Sequence, residues 1–221
     1  MQPPAPLSRR RLIVAALGAP ALAIPGVALA QAPAAPATPV PADAALMASP
    51  PLPDIVVGQP GAACTIVEYA SMTCPHCAAF HLEVYPVLKA KYIDTGKAKF
   101  ILREFPLDPL AAAAFMVARC AGADKRTPLV DLLFSTQKTW AYSEKPAEAL
   151  LDTVKQAGFT KESFDACLTD QKLYTSVLDM REQASEKFKV GSTPTFFVNG
   201  KKLDVGLSLE TLDSALAPYV K

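Results

Sequence analysis

The pattern of hydrophobic and polar positions predicts strands and helices that alternate along most of the chain. Apolar, β-branched runs over 64–70 and 99–105 predict two buried strands, and a shorter run over 54–57 predicts an edge strand. Between the two long runs, apolar residues at helical spacing predict a helix over 78–91. Pro86 falls inside that helix and should kink or interrupt it, because proline lacks the backbone N–H that the helix needs.

The pattern becomes helical after the second long strand and returns to strand near the C-terminus. Ala- and Leu-rich segments predict several helices, followed by a strand over 195–198, a hairpin turn at Asn199-Gly200 and a closing helix over 207–219. This order predicts one α/β domain that is split by a helical insertion. The predicted divisions are a first part of the domain over 54–107, the insertion over 108–187 and a second part over 188–221.

The first 30 residues have the pattern of an export signal. Arg9-Arg10-Arg11 precedes an apolar stretch that ends in the small-residue site Ala28-Leu29-Ala30, so residues 1–30 predict a signal peptide that is cleaved after Ala30. The arginines also fit a twin-arginine signal, and the alternative for the apolar stretch is a transmembrane anchor. Either export route ends in an oxidising compartment, where disulfides persist.

Composition changes the interpretation of the next segment and excludes one class of partner. Residues 31–53 are almost wholly Ala, Pro and other small residues, which predicts an extended tether, because a packed arm would have only Leu46 and Met47 as apolar anchors.

Three of the 22 Lys and Arg residues and none of the 21 Asp and Glu residues precede residue 31, so the mature chain carries a net charge of −2. That charge provides no basic field to attract nucleic acid.

The candidate chemistry lies in the motif Cys74-Pro75-His76-Cys77, where a predicted strand gives way to a helix. The unsatisfied N–H groups and the positive dipole end of that helix should favour the Cys74 thiolate and lower its pKa. Pro75 suits the first helical turn, and His76 can supply a donor or a positive charge. Cys77, one turn further in, would be the more buried, resolving thiol. A stabilised thiolate stabilises the reduced state, which makes the disulfide more oxidising.

Other uses of a Cys-x-x-Cys motif fit this sequence less well. A zinc site would need further ligands, yet the only histidines are His76 and His81 and there is no second Cys-x-x-Cys, so we expect no metal. We place His81 at the surface or one layer behind the reactive residues. A c-type haem is excluded because Ala78 follows Cys77, and a purely structural disulfide across so short a loop would stabilise little. Redox chemistry without a cofactor is favoured.

Four features of the chain occur in combination. They are the Cys-Pro-His-Cys motif, Glu68 six residues before Cys74 on the preceding strand, Thr193-Pro194 just before the predicted strand over 195–198, and the helical insertion. In this combination the chain resembles the DsbA family of bacterial periplasmic disulfide oxidoreductases, within the thioredoxin superfamily, over roughly residues 54–221. The resemblance implies a thioredoxin-like α/β fold with a helical insertion domain.

The resemblance also implies roles for individual residues. Cys74 would be the nucleophile that forms mixed disulfides, and Glu68 would move protons to and from Cys77, as a buried carboxyl with a raised pKa can do near neutral pH. Pro194 would be cis and would face the thiols. The backbone around Thr193 would pair with an extended substrate chain.

Thr193 departs from the pattern of the best-known oxidase, which has Val there. Threonine is more familiar in thioredoxin-fold isomerases, so the alternative to a dithiol oxidase is a reductase or isomerase. Those isomerases carry a separate dimerisation domain that residues 31–53 cannot build, which favours a monomeric oxidase. Its partners would be unfolded or partly folded exported proteins and a membrane redox partner of the DsbB kind. A non-catalytic peptide- or metal-binding module is the third hypothesis.

Three cysteines lie outside the motif. Cys120 and Cys167 both fall in the helical insertion, and in an exported protein we predict that they form a structural disulfide, the alternative being two separate buried thiols. The resemblance adds that some relatives have a similar second bridge. Cys64 begins a core strand on the same face as Ile66 and Glu68, so we expect a buried, inert thiol.

Overall fold

The structure is a computed structural model that describes residues 42–48, 50–203 and 208–220. The predicted signal peptide over 1–30, its cleavage after Ala30 and the first part of the predicted tether lie outside the described residues. Across the ranges that are described, no helix is both long enough and apolar enough to cross a membrane.

Five strands form one mixed sheet in the order β1-β3-β2-β4-β5. The two long central strands, β2 and β3, are parallel, whereas β1 pairs with β3, β4 with β2 and β5 with β4 in the antiparallel sense. Their bounds are Ile55–Val57 (β1), Cys64–Ala70 (β2), Ala98–Glu104 (β3), Thr195–Val198 (β4) and Lys201–Lys202 (β5). The turn between β4 and β5 has positive φ at both Asn199 and Gly200, as a tight hairpin turn requires.

Ten α-helices accompany the sheet in the described parts of the chain. They are α1 (Ala42–Met47), α2 (Pro75–Ala79), α3 (Tyr85–Leu88), α4 (Pro109–Cys120), α5 (Ala123–Ser135), α6 (Gln137–Trp140), α7 (Pro146–Val154), α8 (Lys161–Leu168), α9 (Gln171–Phe188) and α10 (Leu209–Leu216). The π-helical segment Phe80–Val84 joins α2 to α3, and a second one, Lys89–Ile93, continues the same helical stretch after α3. Six helices therefore separate β3 from β4, so the thioredoxin-like fold with a helical insertion is confirmed.

Pro86 does not break the helical stretch that contains it. It is the second residue of α3 and follows the π-helical segment Phe80–Val84. Proline is well tolerated in the first turn of a helix, where a backbone N–H has no intrahelical partner to lose. The predicted interruption is therefore a local widening of the helix on either side of α3.

The end of the predicted tether is packed against the sheet. Residues 42–47 form α1, and the Leu46 side chain is buried in the core. The buried guanidinium of Arg103 on β3 donates to the Leu46 carbonyl oxygen at 2.7 Å and to both carboxylate oxygens of Asp54 at 2.7 and 3.0 Å. The extended tether predicted from composition is thus wrong for residues 42–48 and 50–53, because one apolar anchor and a buried arginine hold this segment.

Alternation along β2 divides its side chains between the two faces of the sheet. Cys64 and Ile66 face the larger core cluster, together with the helices of the insertion, whereas Val67 and Tyr69 face the smaller cluster that contains Leu46. Glu68 continues this alternation, so its side chain lies on the same face as those of Cys64 and Ile66. The carboxyl group is therefore on the side of the sheet that the helix with the cysteine motif covers.

Candidate active site

Cys74 lies at the junction between the loop after β2 and the start of α2. It is the N-cap residue of α2, its backbone N–H donates to the Ser71 carbonyl at 3.1 Å, and its own carbonyl accepts from Ala78 at 3.2 Å. Pro75 takes the first helical position, as predicted from its missing N–H. The helix N-terminus is thereby directed at the Cys74 side chain, which is 4% exposed.

The environment of Cys74 favours its thiolate. A hydrogen bond from the Cys77 thiol is the largest cause that lowers the pKa of Cys74, which falls to about 5, while burial acts in the opposite direction. Hydrogen bonds from the Thr193 side chain and from the backbone N–H groups of Cys77 and His76 lower the pKa further. In its thiol form, the Cys74 Sγ donates to the Thr193 carbonyl oxygen at 3.3 Å.

Cys77 has the opposite preference. Its side chain is fully buried, and burial is the main cause that raises its pKa far above the ordinary range of a thiol. The hydrogen bond with Cys74 and the charge of Glu68 act in the same direction. One thiol of the pair therefore ionises readily, and the other must be protonated whenever it is reduced.

Glu68 lies next to this buried thiol and is hydrogen-bonded to a histidine. Its side chain is fully buried, and its Oε2 atom lies 2.8 Å from Nε2 of His81. His81 belongs to the π-helical segment Phe80–Val84, and its ring stacks on Phe134 of α5 with centroids 4.2 Å apart. The sequence left open whether His81 lies at the surface or behind the reactive residues. In the structure it lies behind them, buried and bonded to Glu68.

The loop before β4 closes the other side of the site. The Thr193-Pro194 peptide bond is cis, and the Thr193 carbonyl faces the Cys74 sulfur. The Thr193 hydroxyl is buried and, in the thiol form of the site, has no hydrogen-bond partner among the described residues. It is therefore available to the Cys74 thiolate.

The insertion holds the motif loop through a residue that the sequence did not single out. Gln137 is 2% exposed, and its Nε2 donates to the carbonyl oxygens of Met72 at 2.8 Å and Cys74 at 2.9 Å. Thr73 adds a hydrogen bond to Asp108, the N-cap residue of α4, at 2.5 Å. No local pattern around Gln137 distinguishes it from a surface glutamine.

The outer face of the motif is open to solvent. Pro75 and His76 are both exposed, in contrast to the buried Glu68 and Cys77. Beside Pro75 lies a groove of about 800 Å³, bounded by Leu82, which is 53% exposed, and Tyr142, which is 60% exposed. Tyr142 forms the rim of this groove, whereas Trp140, two residues earlier, is buried.

The remaining cysteines are remote from the chemistry. Cys120 and Cys167 form a disulfide that joins α4 to α8 across 47 positions of sequence. Cys64 is a buried free thiol, and burial raises its pKa to about 11. Within the described ranges, no group of three or more His, Cys, Asp or Glu side chains has an arrangement that could hold a metal ion.

Comparison with known proteins agrees with this geometry. A family model described as thioredoxin matches residues 52–217. The chain is 31% identical over 172 residues to the thiol:disulfide interchange protein DsbA of Yersinia pestis, covering 75% of this chain and 77% of that protein. It is 35% identical over 164 residues to a protein of Rickettsia bellii named as a protein-disulfide oxidoreductase, covering 74% of this chain.

The match to that Rickettsia relative covers 63% of the relative, so the chain spans less than two thirds of its length. Among solved structures, alpha-DsbA1 of Wolbachia pipientis superposes with a TM-score of 0.70 at 29% identity, covering 77% of this chain and 92% of that one. The chain therefore belongs to the thioredoxin family and, within it, to the DsbA family of thiol:disulfide oxidoreductases.

Proposed function

We propose that this protein oxidises pairs of cysteines in exported proteins by transferring the Cys74–Cys77 disulfide to them. The observation that carries the proposal is the opposite ionisation of the two thiols, with a pKa of about 5 for Cys74 and a strongly raised pKa for Cys77. Stabilising the Cys74 thiolate stabilises the reduced protein, so the oxidised protein gives up its disulfide readily.

The exchange takes place in two steps and begins at Cys74, the less deeply buried thiol of the pair. A substrate thiolate attacks the Cys74 sulfur, the bond between Cys74 and Cys77 breaks, and Cys77 leaves with the electron pair and accepts a proton from Glu68. A second substrate thiolate then attacks the substrate sulfur of the mixed disulfide, the substrate disulfide forms, and Cys74 leaves as its stabilised thiolate. The low pKa of Cys74 makes it a good leaving group in this second step.

Substrate binding would use the cis-proline loop and the exposed face beside it. The backbone of Thr193 can pair with an extended segment of an unfolded chain, and Pro194 keeps that loop beside the Cys74 sulfur. We further propose that the protein acts as a monomer in the periplasm, with the signal over 1–30 removed after Ala30. A membrane redox partner of the DsbB kind would restore the disulfide.

The test is the equilibrium of Cys74–Cys77 with glutathione in a protein that begins at Gln31. We expect a reduction potential well above about −180 mV, on the scale where thioredoxin lies near about −270 mV and where DsbA itself is the reference for a strong oxidant. The oxidised protein should also form disulfides in a reduced, unfolded model substrate, and Cys74→Ala should not. A potential near that of thioredoxin would disprove the oxidase assignment.

A reductase or isomerase is the second candidate, and Thr193 is the observation in its favour. The distinguishing assay gives the reduced protein a substrate with scrambled disulfides. Recovery of native substrate at a rate exceeding that of oxidation by the same protein would favour the isomerase. The third candidate, a non-catalytic peptide- or metal-binding module, requires instead that Cys74→Ala keep full activity.

A further inference from the structure

Two buried polar atoms beside Cys77 have no hydrogen-bond partner among the described residues. They are Oε1 of Glu68 and Nδ1 of His81, the outer atoms of the pair whose inner atoms, Oε2 and Nε2, are 2.8 Å apart. Both side chains are more than nine-tenths buried. Because buried polar atoms are nearly always hydrogen-bonded, two unpartnered atoms at opposite ends of one bonded pair require an explanation.

The two ends of the pair adjoin groups of very different exposure. Glu68 interacts electrostatically with the buried Cys77 thiol, which must gain a proton on reduction. His81 interacts with the carboxyl group of Asp131, an exposed residue on α5 that also interacts with Lys89. The pair is therefore coupled at one end to a thiol without access to water and at the other end to the carboxyl group of an exposed residue.

The histidine ring is held in place by aromatic packing on two sides. It stacks on Phe134 at 4.2 Å and lies 5.0 Å from the ring of Tyr85, a residue of α3 whose pKa is raised by burial. His81 belongs to the π-helical segment Phe80–Val84, and such wide helical turns are frequent at functional sites. The titratable groups that face the ring are Glu68 from β2, Tyr85 from α3 and Asp131 from α5.

We propose that His81 is a positioning residue that carries protons between the protein surface and Glu68, so that Glu68 can serve the buried Cys77. This inference rests on the proposed function, because it concerns the same exchange reaction. It deepens that function by assigning a route for the proton that each turnover must move into the protein interior and out again.

The proton transfers balance over one complete cycle. On reduction, the Oε1 proton of Glu68 moves to the Cys77 thiolate, the Nε2 proton of His81 moves to Oε2, and Nδ1 takes up a proton from the surface side. On reoxidation, Cys77 returns a proton to Oε1, Oε2 returns one to Nε2, and Nδ1 releases one. The ring alternates between its two neutral tautomers, and no rotation of the ring is needed.

The experiment separates proton transfer from a structural role by measuring rates in both directions. Oxidised protein is reduced with dithiothreitol and reduced protein is oxidised with glutathione disulfide between pH 5.5 and 8.5, with thiols trapped by an alkylating reagent. His81→Gln keeps a hydrogen-bond donor for Glu68 but cannot relay a proton, and His81→Phe keeps the stack on Phe134. Tyr85→Phe is the matched control, since it keeps the ring that packs on His81.

We expect both His81 variants to slow reduction and reoxidation by at least about tenfold at pH 7, in keeping with the usual size of general acid–base effects. The equilibrium with glutathione should change less than about twofold, because a relay speeds both directions equally. Tyr85→Phe should keep the wild-type rates in both directions. If His81→Gln proves too unstable to assay, His81→Phe decides the outcome.

Three results would overturn the relay, and they differ from one another. Unchanged rates in both variants would refute it while leaving the oxidoreductase intact. Slowing in one direction only, with an equal shift of the equilibrium, would show that His81 acts by tuning the thiols and not by transferring protons. Absence of any exchange in the wild-type protein would remove the proposed function together with the relay.

Discussion

The side chain of Gln137 donates a hydrogen bond to the carbonyl oxygen of Cys74 at 2.9 Å, across 63 positions of sequence. A second bond from the same nitrogen reaches Met72 at 2.8 Å. One buried amide from the helical insertion therefore fixes the loop that presents the nucleophile. This contact gives the insertion a role in the geometry of the site, in addition to covering the sheet.

We predict that Gln137→Leu destabilises the oxidised protein by about 1–3 kcal/mol, because it leaves the buried Met72 carbonyl without its donor. Urea unfolding followed by far-UV circular dichroism measures the change. Lys138→Ala, at the exposed neighbouring position, is the control and should change stability by less than about 0.5 kcal/mol. Equal stability of the two variants would show that the Gln137 bonds contribute nothing to the fold.

The sequence predicted the parts of this molecule whose signals are local. The β-branched run of β2 and the Asn199-Gly200 turn fix strand and hairpin through side-chain stiffness and backbone preference, which act over a few residues. The motif Cys74–Cys77 is similarly local, since the spacing of the two thiols and the helix that follows them are contiguous in the chain. These features sufficed for the fold class.

Contacts between distant segments could not be predicted in the same way. Gln137 and His81 carry no local signal. The Gln137 bonds and the stack of His81 on Phe134 form only when the insertion packs on the domain, and the bond between His81 and Glu68 joins a helix to a strand. The segment around Leu46 was assigned as a tether because its proline content is a local property. Its burial depends on Arg103, which lies 57 positions further along the chain.

Titration of the reduced protein should show one thiolate forming near pH 5. Cys74 has a pKa of about 5, whereas that of Cys64 is about 11 and that of Cys77 is raised further, so Cys74 alone should contribute thiolate absorbance at 240 nm between pH 4 and 8. In Cys77→Ala, the midpoint should rise toward the ordinary value of about 8.5, because the largest stabilising hydrogen bond is removed. A midpoint that does not move would exclude that bond as the main cause.

Thr193→Val should make the disulfide less oxidising. The Thr193 side chain is one of the groups that lower the pKa of Cys74, and hydrogen bonds to charged groups contribute about 1.5–3 kcal/mol. The variant should therefore have a higher Cys74 pKa and a reduction potential lower by roughly 30 mV or more, measured against glutathione. Thr193→Ser keeps the hydroxyl and should retain the wild-type potential. If Thr193→Ser and Thr193→Val shift the reduction potential equally, the Thr193 hydroxyl is not the cause of the low Cys74 pKa.

The stability of the reduced protein should depend on pH in a way that the oxidised protein does not share. The folded-state pKa of Cys74 is lowered to about 5, so its contribution to stability is complete above the ordinary thiol pKa and is lost as pH falls toward 5. Between pH 5 and 8, the free energy of unfolding of reduced protein, minus that of oxidised protein, should rise by up to about 1.4 kcal/mol per pH unit. Urea unfolding of both forms at each pH tests this. Cys74→Ser lacks the titrating thiol and cannot form the disulfide, so its stability should follow the pH dependence of the oxidised wild-type protein.

Removing the second disulfide should weaken the fold without abolishing exchange at the motif. The bridge between Cys120 and Cys167 closes a loop across 47 positions, for which the chain-entropy model gives roughly 4 kcal/mol. We expect Cys120→Ser combined with Cys167→Ser to lower the free energy of unfolding by about 2–5 kcal/mol in urea, with a small packing loss at the buried Cys167 included in that range. The glutathione equilibrium of Cys74–Cys77 serves as the control, since the bridge joins α4 to α8 and contacts neither thiol. If the double variant unfolds at the same urea concentration as the wild-type protein, the bridge adds no stability beyond that of helix packing in the insertion.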